Sequence, residues 1–375
     1  MQAISDNIPF NIGMDISFAN LNQAGTGVYV KSLLESLAAF NSTIGLNCFS
    51  VNQVRDNTKP KTLRTRLDTL YRDFFWMHVK LPHKVWKSKV QVLHMPANLA
   101  PLKVNCPVVV SILDMILYEY PQYFPRWQRI NYKIFGRQSA VNAAHIITIS
   151  DASKRNIVKL FQVDPAKITV TPLAASEKFT FQPSEVFSGI KTKYSIDKYI
   201  FTVGSVEPRK NLLRLFEAFE TIKVFFPDYR IVHAGPRGWH MDHLEKLLSE
   251  RNLTDSVKFL GLVPEDDLVK LYNAAQLFVY PSLYEGFGLP VLEAMTCGCP
   301  VITSNISSLP EVAGDAAVLV DPLETAQIAE QMRLFLTNPD MRMEYRRRGL
   351  QRAKDFSWRR CAEQTIEVYK QVLEV

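Results

Sequence analysis

The sequence predicts an α/β protein made of two doubly wound parallel-sheet domains. Short apolar runs alternate with amphipathic stretches along the whole of the 375 residues, the pattern of strands joined by crossover helices. The alternation halts in the polar stretch FQPSEVFSGIKTKYSIDK, residues 181–198, and then restarts. The chain is also longer than one ordinary hydrophobic core supports, which favours two domains of roughly 150–200 residues.

In order, NIGMDISFA, QVLHMP, PVVVSILD, HIITIS and ITVTPL read as the strands of the first half, with KSLLESLAAF and SKRNIVKLFQV spaced as helices. The second half offers YIFTVGS, YRIVHAG, VKFLG, LFVYPS, PVITS and AVLVDP as strands. NLLRLFEAFETIK, HLEKLLSERN, EDDLVKLYNAA and VLEAMTCG alternate with them as helices. These strands are apolar almost throughout, as expected where helices cover both faces of a sheet. The domains expected are therefore 1–190 and 191–356.

Composition narrows the class. An apolar share of 47% and a charged share of 22% are those of a globular protein. The longest apolar run, PVVVSILDMIL, falls short of the ~18–20 residues a membrane-spanning helix needs, and it carries Asp114. The N-terminus lacks a basic segment followed by an apolar one, so no secretory signal is read there. Five cysteines form no CxxC pair, and a reduced, cytoplasmic protein is expected. Residues 1–195 hold 23 Lys/Arg against 12 Asp/Glu, whereas the remainder holds 21 against 25. The halves thus carry +11 and −4, which suggests different partners for each. No nucleic-acid-binding module accompanies the positive charge, and net charge alone does not imply one.

In open parallel sheets ligands bind beyond the carboxyl ends of strands, and three such loops stand out. AGTGVYVKSLL places Gly25 and Gly27 where backbone can approach a ligand closely, or where the chain merely turns; Val30 breaks the GxGxxG dinucleotide pattern. FTVGSVEPRKNL ends a strand at Gly204 and Ser205 and leads through Arg209 and Lys210 into a helix. Two cations oppose the preference of a helix start for acids, so either an anion such as a diphosphate sits between them or both are simply solvated. In YPSLYEGFGLPVLEAMTCG, Glu285 lies in a loop while Pro290 opens a helix that carries Glu293 in its first turns. The two carboxylates do not share a helical face, so the spacing argues against an acid–base pair. Glu293 is expected to stay ionised near the positive helix end, as an acceptor for sugar hydroxyls or as a helix-stabilising acid.

Taken together these motifs resemble glycosyltransferase family 4, retaining enzymes of GT-B fold, over nearly the whole chain. EGFGLPVLE matches the E-x7-E motif, VGSVEPRKNL the phosphate-binding segment and GTGVYV the N-terminal glycine loop. SDASKRNIVKLFQVDPAKITVTPLA looks like the end of the first domain. DFSWRRCAEQTIEVYKQVL, residues 355–373, resembles the helix that crosses back onto that domain, a helix expected over 357–375. The resemblance implies two Rossmann-like domains facing a cleft, the first for the acceptor and the second for a nucleotide sugar. It implies that Arg209 and Lys210 bind and stabilise the departing diphosphate. Glu285, Gly286 and the N–H groups of Phe287, Gly288 and Leu289 would hold the sugar, and Glu293 the ribose. Gly204 and Ser205 would line the donor, Val263 would border the base, and Gly25 and Gly27 would close over the phosphates. No metal or other cofactor is implied, and the DxD tripeptide of metal-dependent transferases is absent from the sequence.

One position departs from the family. Where many relatives read His-Asp after the strand VVVSIL, this chain has Leu113 followed by Asp114. Leucine cannot donate a hydrogen bond, so either Asp114 helps orient acceptor or sugar or the site works without that group. A nucleotide-sugar-binding homologue with little turnover is the rival reading from another class. GTGVYV with Tyr29, and EPRKN, are similar to the mannosyltransferases of O-antigen and exopolysaccharide assembly. GDP-mannose is therefore the first donor expected, ahead of UDP-glucose and UDP-N-acetylglucosamine, with a saccharide or lipid-linked saccharide as acceptor. Residues 59–89 hold nine Lys/Arg against two Asp among several aromatics. Either this stretch meets an anionic membrane surface, making the protein peripheral at the inner face of the cytoplasmic membrane, or its aromatics pack inward.

Overall fold

The computed structural model describes residues 10–21, 25–51, 71–124, 126–183, 187–238 and 241–374. The chain divides into two compact units, Met1–Leu173 with Trp358–Val375, and Ala174–Ser357.

The first unit is built on β1 (Phe10–Asp15), β2 (Ile44–Phe49), β3 (Val92–Met95), β4 (Val108–Ser111), β5 (His145–Thr148) and β6 (Ile168–Val170). They form one sheet in the order β2-β1-β3-β4-β5-β6, and every pairing is parallel. β3 and β4 are buried along their whole length, which is why they read as unbroken apolar runs. The helix Trp358–Glu374 belongs to this unit and is fastened by a buried polar chain. Tyr369 Oη lies 2.6 Å from His94 Nδ1, His94 Nε2 lies 2.7 Å from Ser111 Oγ, and Ser111 Oγ lies 2.8 Å from Tyr29 Oη. All four side chains are shut off from solvent, so each satisfies a polar group that would otherwise be buried unpaired.

The glycine motif is placed differently from its expected loop. The helix Gly25–Ala38 begins at Gly25, so both glycines lie in its first turn, Gly25 exposed and Gly27 buried. Downstream Tyr29, Val30, Leu33 and Leu37 face the core, and that 3.6-residue stripe carries the helix back through the glycines.

The second unit holds β7 (Lys198–Val203), β8 (Tyr229–Ala234), β9 (Val257–Gly261), β10 (Leu277–Tyr280), β11 (Val301–Ser304) and β12 (Val318–Val320). Their order is β12-β11-β10-β7-β8-β9, again all parallel. The helix Leu212–Ile222 buries Leu212, Leu215, Phe216, Phe219 and Ile222 against this sheet's core. The start of the unit, which the sequence assigned to the first domain, is held here by particular contacts. Gln182 N donates to Asn273 Oδ1 at 2.9 Å, Asn273 Nδ2 donates to Thr180 O at 2.9 Å, and Phe179 stacks edge-on against Tyr272.

No helix among the described residues is long and apolar enough to cross a membrane.

Candidate functional site

The site in the second unit is set by the register of two neighbouring strands. Pairing of Ile200 with Leu277 and of Phe201 with Phe278 runs β7 and β10 side by side, so the loops after them emerge together. After β7 the chain turns at Gly204, whose φ of 133° suits glycine. One short turn of helix, Pro208–Lys210, follows. Asn211 ends it in the left-handed region at φ 58°, and its Nδ2 ties down the carbonyls of Pro281 and Pro322 at 3.0 and 2.7 Å. That turn aims Arg209 and Lys210 at the loop after β10.

Their common target is one oxygen. Glu285 Oε1 accepts from Lys210 Nζ at 2.6 Å, Ser282 Oγ at 2.7 Å, Tyr280 Oη at 2.9 Å and a terminal guanidinium nitrogen of Arg209 at 3.0 Å. Among the described residues Oε2 takes no hydrogen bond. Burial alone would raise the Glu285 carboxyl, but the neighbouring Lys210 and Arg209 charges outweigh it and hold the group at about 2. Burial draws the Lys210 ammonium down to about 8, with Glu285 opposing and Arg209 assisting, so both partners are charged at neutral pH. Arg209 is further braced by Glu207, Nε to Oε2 at 2.8 Å, and Glu207 also accepts from Ser205 Oγ.

The loop backbone is equally fixed. Ser307 Oγ and Ser308 Oγ donate to the Glu285 carbonyl at 2.6 and 2.9 Å, and Ser308 also bonds the Phe287 carbonyl at 2.7 Å. Gly288 has φ 111°, a conformation that favours glycine, and a Cβ there would also push on the end of the Leu309 side chain at 2.8 Å. The helix Leu289–Thr296 starts from Gly288 with Pro290 in its first turn and no side-chain cap; Val291 and Leu292 N–H turn back to the Gly288 carbonyl, which leaves the Leu289 N–H at the helix start for an incoming acceptor.

Glu293 lies further along that helix and does not meet Glu285. Its partner is Tyr272 Oη, which donates to Oε2 at 3.0 Å. Contrary to the expectation from the helix dipole, its carboxyl is pushed up to about 7: burial dominates, Tyr272 offsets part of it, and Glu265 adds to it. The favourable field of a helix start is worth at most ~2 kcal/mol, and enclosing the charge costs more here. Val263 is half-buried between β9 and the helix Glu265–Ala274, whose first turn carries Glu265, Asp266 and Asp267.

Gly25, Gly27 and Asp114 belong to the other unit. Asp114 Oδ1 accepts from Ile116 N at 3.1 Å, a local turn at the start of a short helix. The Leu113 side chain is buried; its N–H donates to Asn98 Oδ1 at 2.9 Å and its carbonyl accepts from Ser153 Oγ at 3.0 Å.

Sequence reasoning missed Tyr280, Ser282 and Tyr272, the side chains that orient the two glutamates. The available signal was polar residues closing the apolar run LFVYPS, immediately before a glycine loop.

The pattern of glycosyl transferases group 1 matches residues 183–352, and that of glycosyltransferase family 4 matches residues 24–175. The chain is 37% identical over 266 residues to the O-antigen chain mannosyltransferase B of Escherichia coli, covering 70% of each. Its fold resembles sucrose-phosphate synthase from Thermosynechococcus elongatus, with TM-score 0.78, 20% identity, and 97% and 99% of the two chains covered. It also resembles HepE of Anabaena in complex with UDP-glucose, with TM-score 0.70, 17% identity, and 96% and 99% covered. These structural likenesses identify the paired sheets as a GT-B fold.

Proposed function

The chain belongs to glycosyltransferase family 4 and is a hexosyltransferase of polysaccharide synthesis, and from that premise we propose that it transfers mannose from GDP-mannose with retention of configuration. The acceptor is a saccharide or lipid-linked saccharide, met at the inner face of the cytoplasmic membrane.

One observation carries the reading: Glu285 is gripped through a single oxygen by two cations and two hydroxyls. A carboxylate so held is ionised and fixed in direction, and its second oxygen is the acceptor offered to a sugar hydroxyl. Arg209 and Lys210, already converged beside it, meet the charge of the departing diphosphate, so the charge is met by side chains and helix termini rather than by a metal. Glu293 holds the ribose. The open N–H groups from Phe287 to Leu289 line the sugar, Gly204 and Ser205 the phosphates, and Val263 the base. In the first unit, Gly25 and Gly27 are assigned to the donor phosphates and Asp114 to orienting the acceptor.

In the reaction the bond between the anomeric carbon and the phosphate oxygen breaks while the acceptor oxygen bonds to that carbon on the same face. The acceptor's proton passes to the departing phosphate oxygen, so no protein carboxylate serves as nucleophile, in contrast to retaining glycosidases. Positioning and charge stabilisation supply the acceleration.

A thermal-shift panel of GDP-mannose, UDP-glucose and UDP-N-acetylglucosamine tests the donor. The true donor at ~100 times its Kd adds ~2.7 kcal/mol of stability. Preference for either UDP-sugar would overturn the assignment. Tight binding without hydrolysis or transfer to any lipid extract would favour the binding homologue that Leu113 suggests.

A further inference from the structure

The first unit carries a cationic and apolar face that the transfer chemistry does not use. Along Tyr71–Lys80 and Leu81–Ser88, the side chains of Phe74, Phe75, Val79 and Trp86 are 57, 42, 48 and 62% exposed, while Trp76, Leu81 and Val85 turn inward. Lys80, Lys84, Lys87 and Lys89 are exposed along the same stretch, and His83 stacks on Trp86 at 6.1 Å. Residues 74–91 contain no Asp or Glu.

The helix Arg126–Asn142 repeats the pattern independently. Trp127, Ile130 and Ile134 are 45, 51 and 58% exposed. At about 100° per residue these three and Val141 fall within an arc of roughly 60°, and Arg126, Lys133 and Arg137 fill the roughly 40° beside it. This helix also lacks any acid. The two parts are neighbours, since His78 packs on Phe135 with centroids 5.3 Å apart.

Exposed apolar side chains scattered singly need no explanation, but a patch of them does. Here a band of cations runs alongside exposed apolar side chains on both segments, with no acid in residues 74–91 or in the helix Arg126–Asn142. A protein epitope calls for a desolvated core with a polar rim, whereas an acid-free cationic band beside exposed aromatic and aliphatic side chains suits anionic headgroups over an acyl boundary. We infer that this face seats the protein on an anionic lipid bilayer, with the aromatic and aliphatic side chains at the headgroup boundary and Lys and Arg on the phosphates. The inference deepens the lipid-linked-acceptor reading but does not depend on which nucleotide sugar is used, because it is tested without a donor.

The experiment is co-sedimentation of the full chain with vesicles of phosphatidylcholine alone and with added phosphatidylglycerol, over a salt series. Binding to the anionic vesicles that weakens with salt is expected, with little on neutral ones. Each lysine removed should weaken partitioning roughly fivefold, so Lys84→Glu with Lys87→Glu should cost more than tenfold. Trp86→Ser with Trp127→Ser should also weaken binding and abolish the blue shift of tryptophan emission on vesicles. Circular dichroism should stay unchanged in both double variants. Equal binding to both vesicle types, or tryptophan variants that bind like the parent, would overturn the inference. So would binding to an acidic polypeptide such as polyglutamate but to neither vesicle.

Discussion

Replacing Glu293 by glutamine should separate what this residue does for stability from what it does for the donor. Its carboxyl, enclosed beside Tyr272, is raised from 4.5 to about 7. An acid whose pKa rises on folding holds its proton more tightly in the folded state. Its stabilising contribution is therefore complete below about 4.5 and is lost as pH climbs through about 7. The distance between those values, at roughly 1.4 kcal/mol for each pH step, amounts to about 3 kcal/mol by pH ~8. Glutamine keeps an oxygen for the Tyr272 hydroxyl and removes the buried charge. Glu293→Gln should therefore match the parent near pH ~4.5 and exceed it by up to about 3 kcal/mol near pH ~8. For a unit of this size that is a rise of about 6–12 °C in melting temperature. Differential scanning calorimetry across that range reads the effect directly. The same variant should bind nucleotide sugar about tenfold more weakly, because a neutral amide holds ribose hydroxyls less well than a carboxylate. Parallel melting curves at every pH would refute the buried-charge argument. A stabilised variant with unchanged donor affinity would refute only the ribose role.

Other expectations follow from the same geometry. Lys210→Ala or Arg209→Ala should weaken binding of a nucleoside diphosphate by tenfold or more in calorimetric titration; unchanged affinity would remove that cation from the site. Glu285→Gln should cut kcat by roughly 10²–10³ with a smaller effect on KM, the mark of an interaction realised in the transition state. Unimpaired transfer would defeat the proposed sugar contact. Tyr369→Phe strips His94 Nδ1 of its partner in a fully buried setting, which should cost about 1–3 kcal/mol. A lowered urea midpoint checks this, and no change would mean that the chain from Tyr369 to Tyr29 contributes nothing to holding the C-terminal helix.

Most of the fold was legible because parallel strands covered on both faces carry an undiluted apolar signal, as β3, β4, β10 and β11 do. The signal fails where burial is partial. β2, IGLNCF, is an edge strand with one neighbour and mixed exposure, and Gly45 and Asn47 interrupt its apolar run. The helix Arg126–Asn142 points several of its large apolar residues outward, so periodicity read as core-facing could not find it. Local rules also fail when burial opposes them. The dipole rule for Glu293 is sound for an exposed acid, but it concerns the first turn alone and is blind to the enclosure supplied by Tyr272 and Glu265.

The site shows the same limit from the other side. Arg209, Lys210 and Glu285 were individually visible as unusual residue choices, yet nothing linear predicts that they share one oxygen. That convergence depends on β7 lying beside β10 in register, which brings together loops some 75 residues apart in sequence. It also depends on Tyr280 and Ser282, which look like the tail of an apolar strand until the strand end is seen to face two cations. A carboxylate gripped through one oxygen is thus a property of topology, and exchanging neighbouring strands would abolish it without altering a single motif residue.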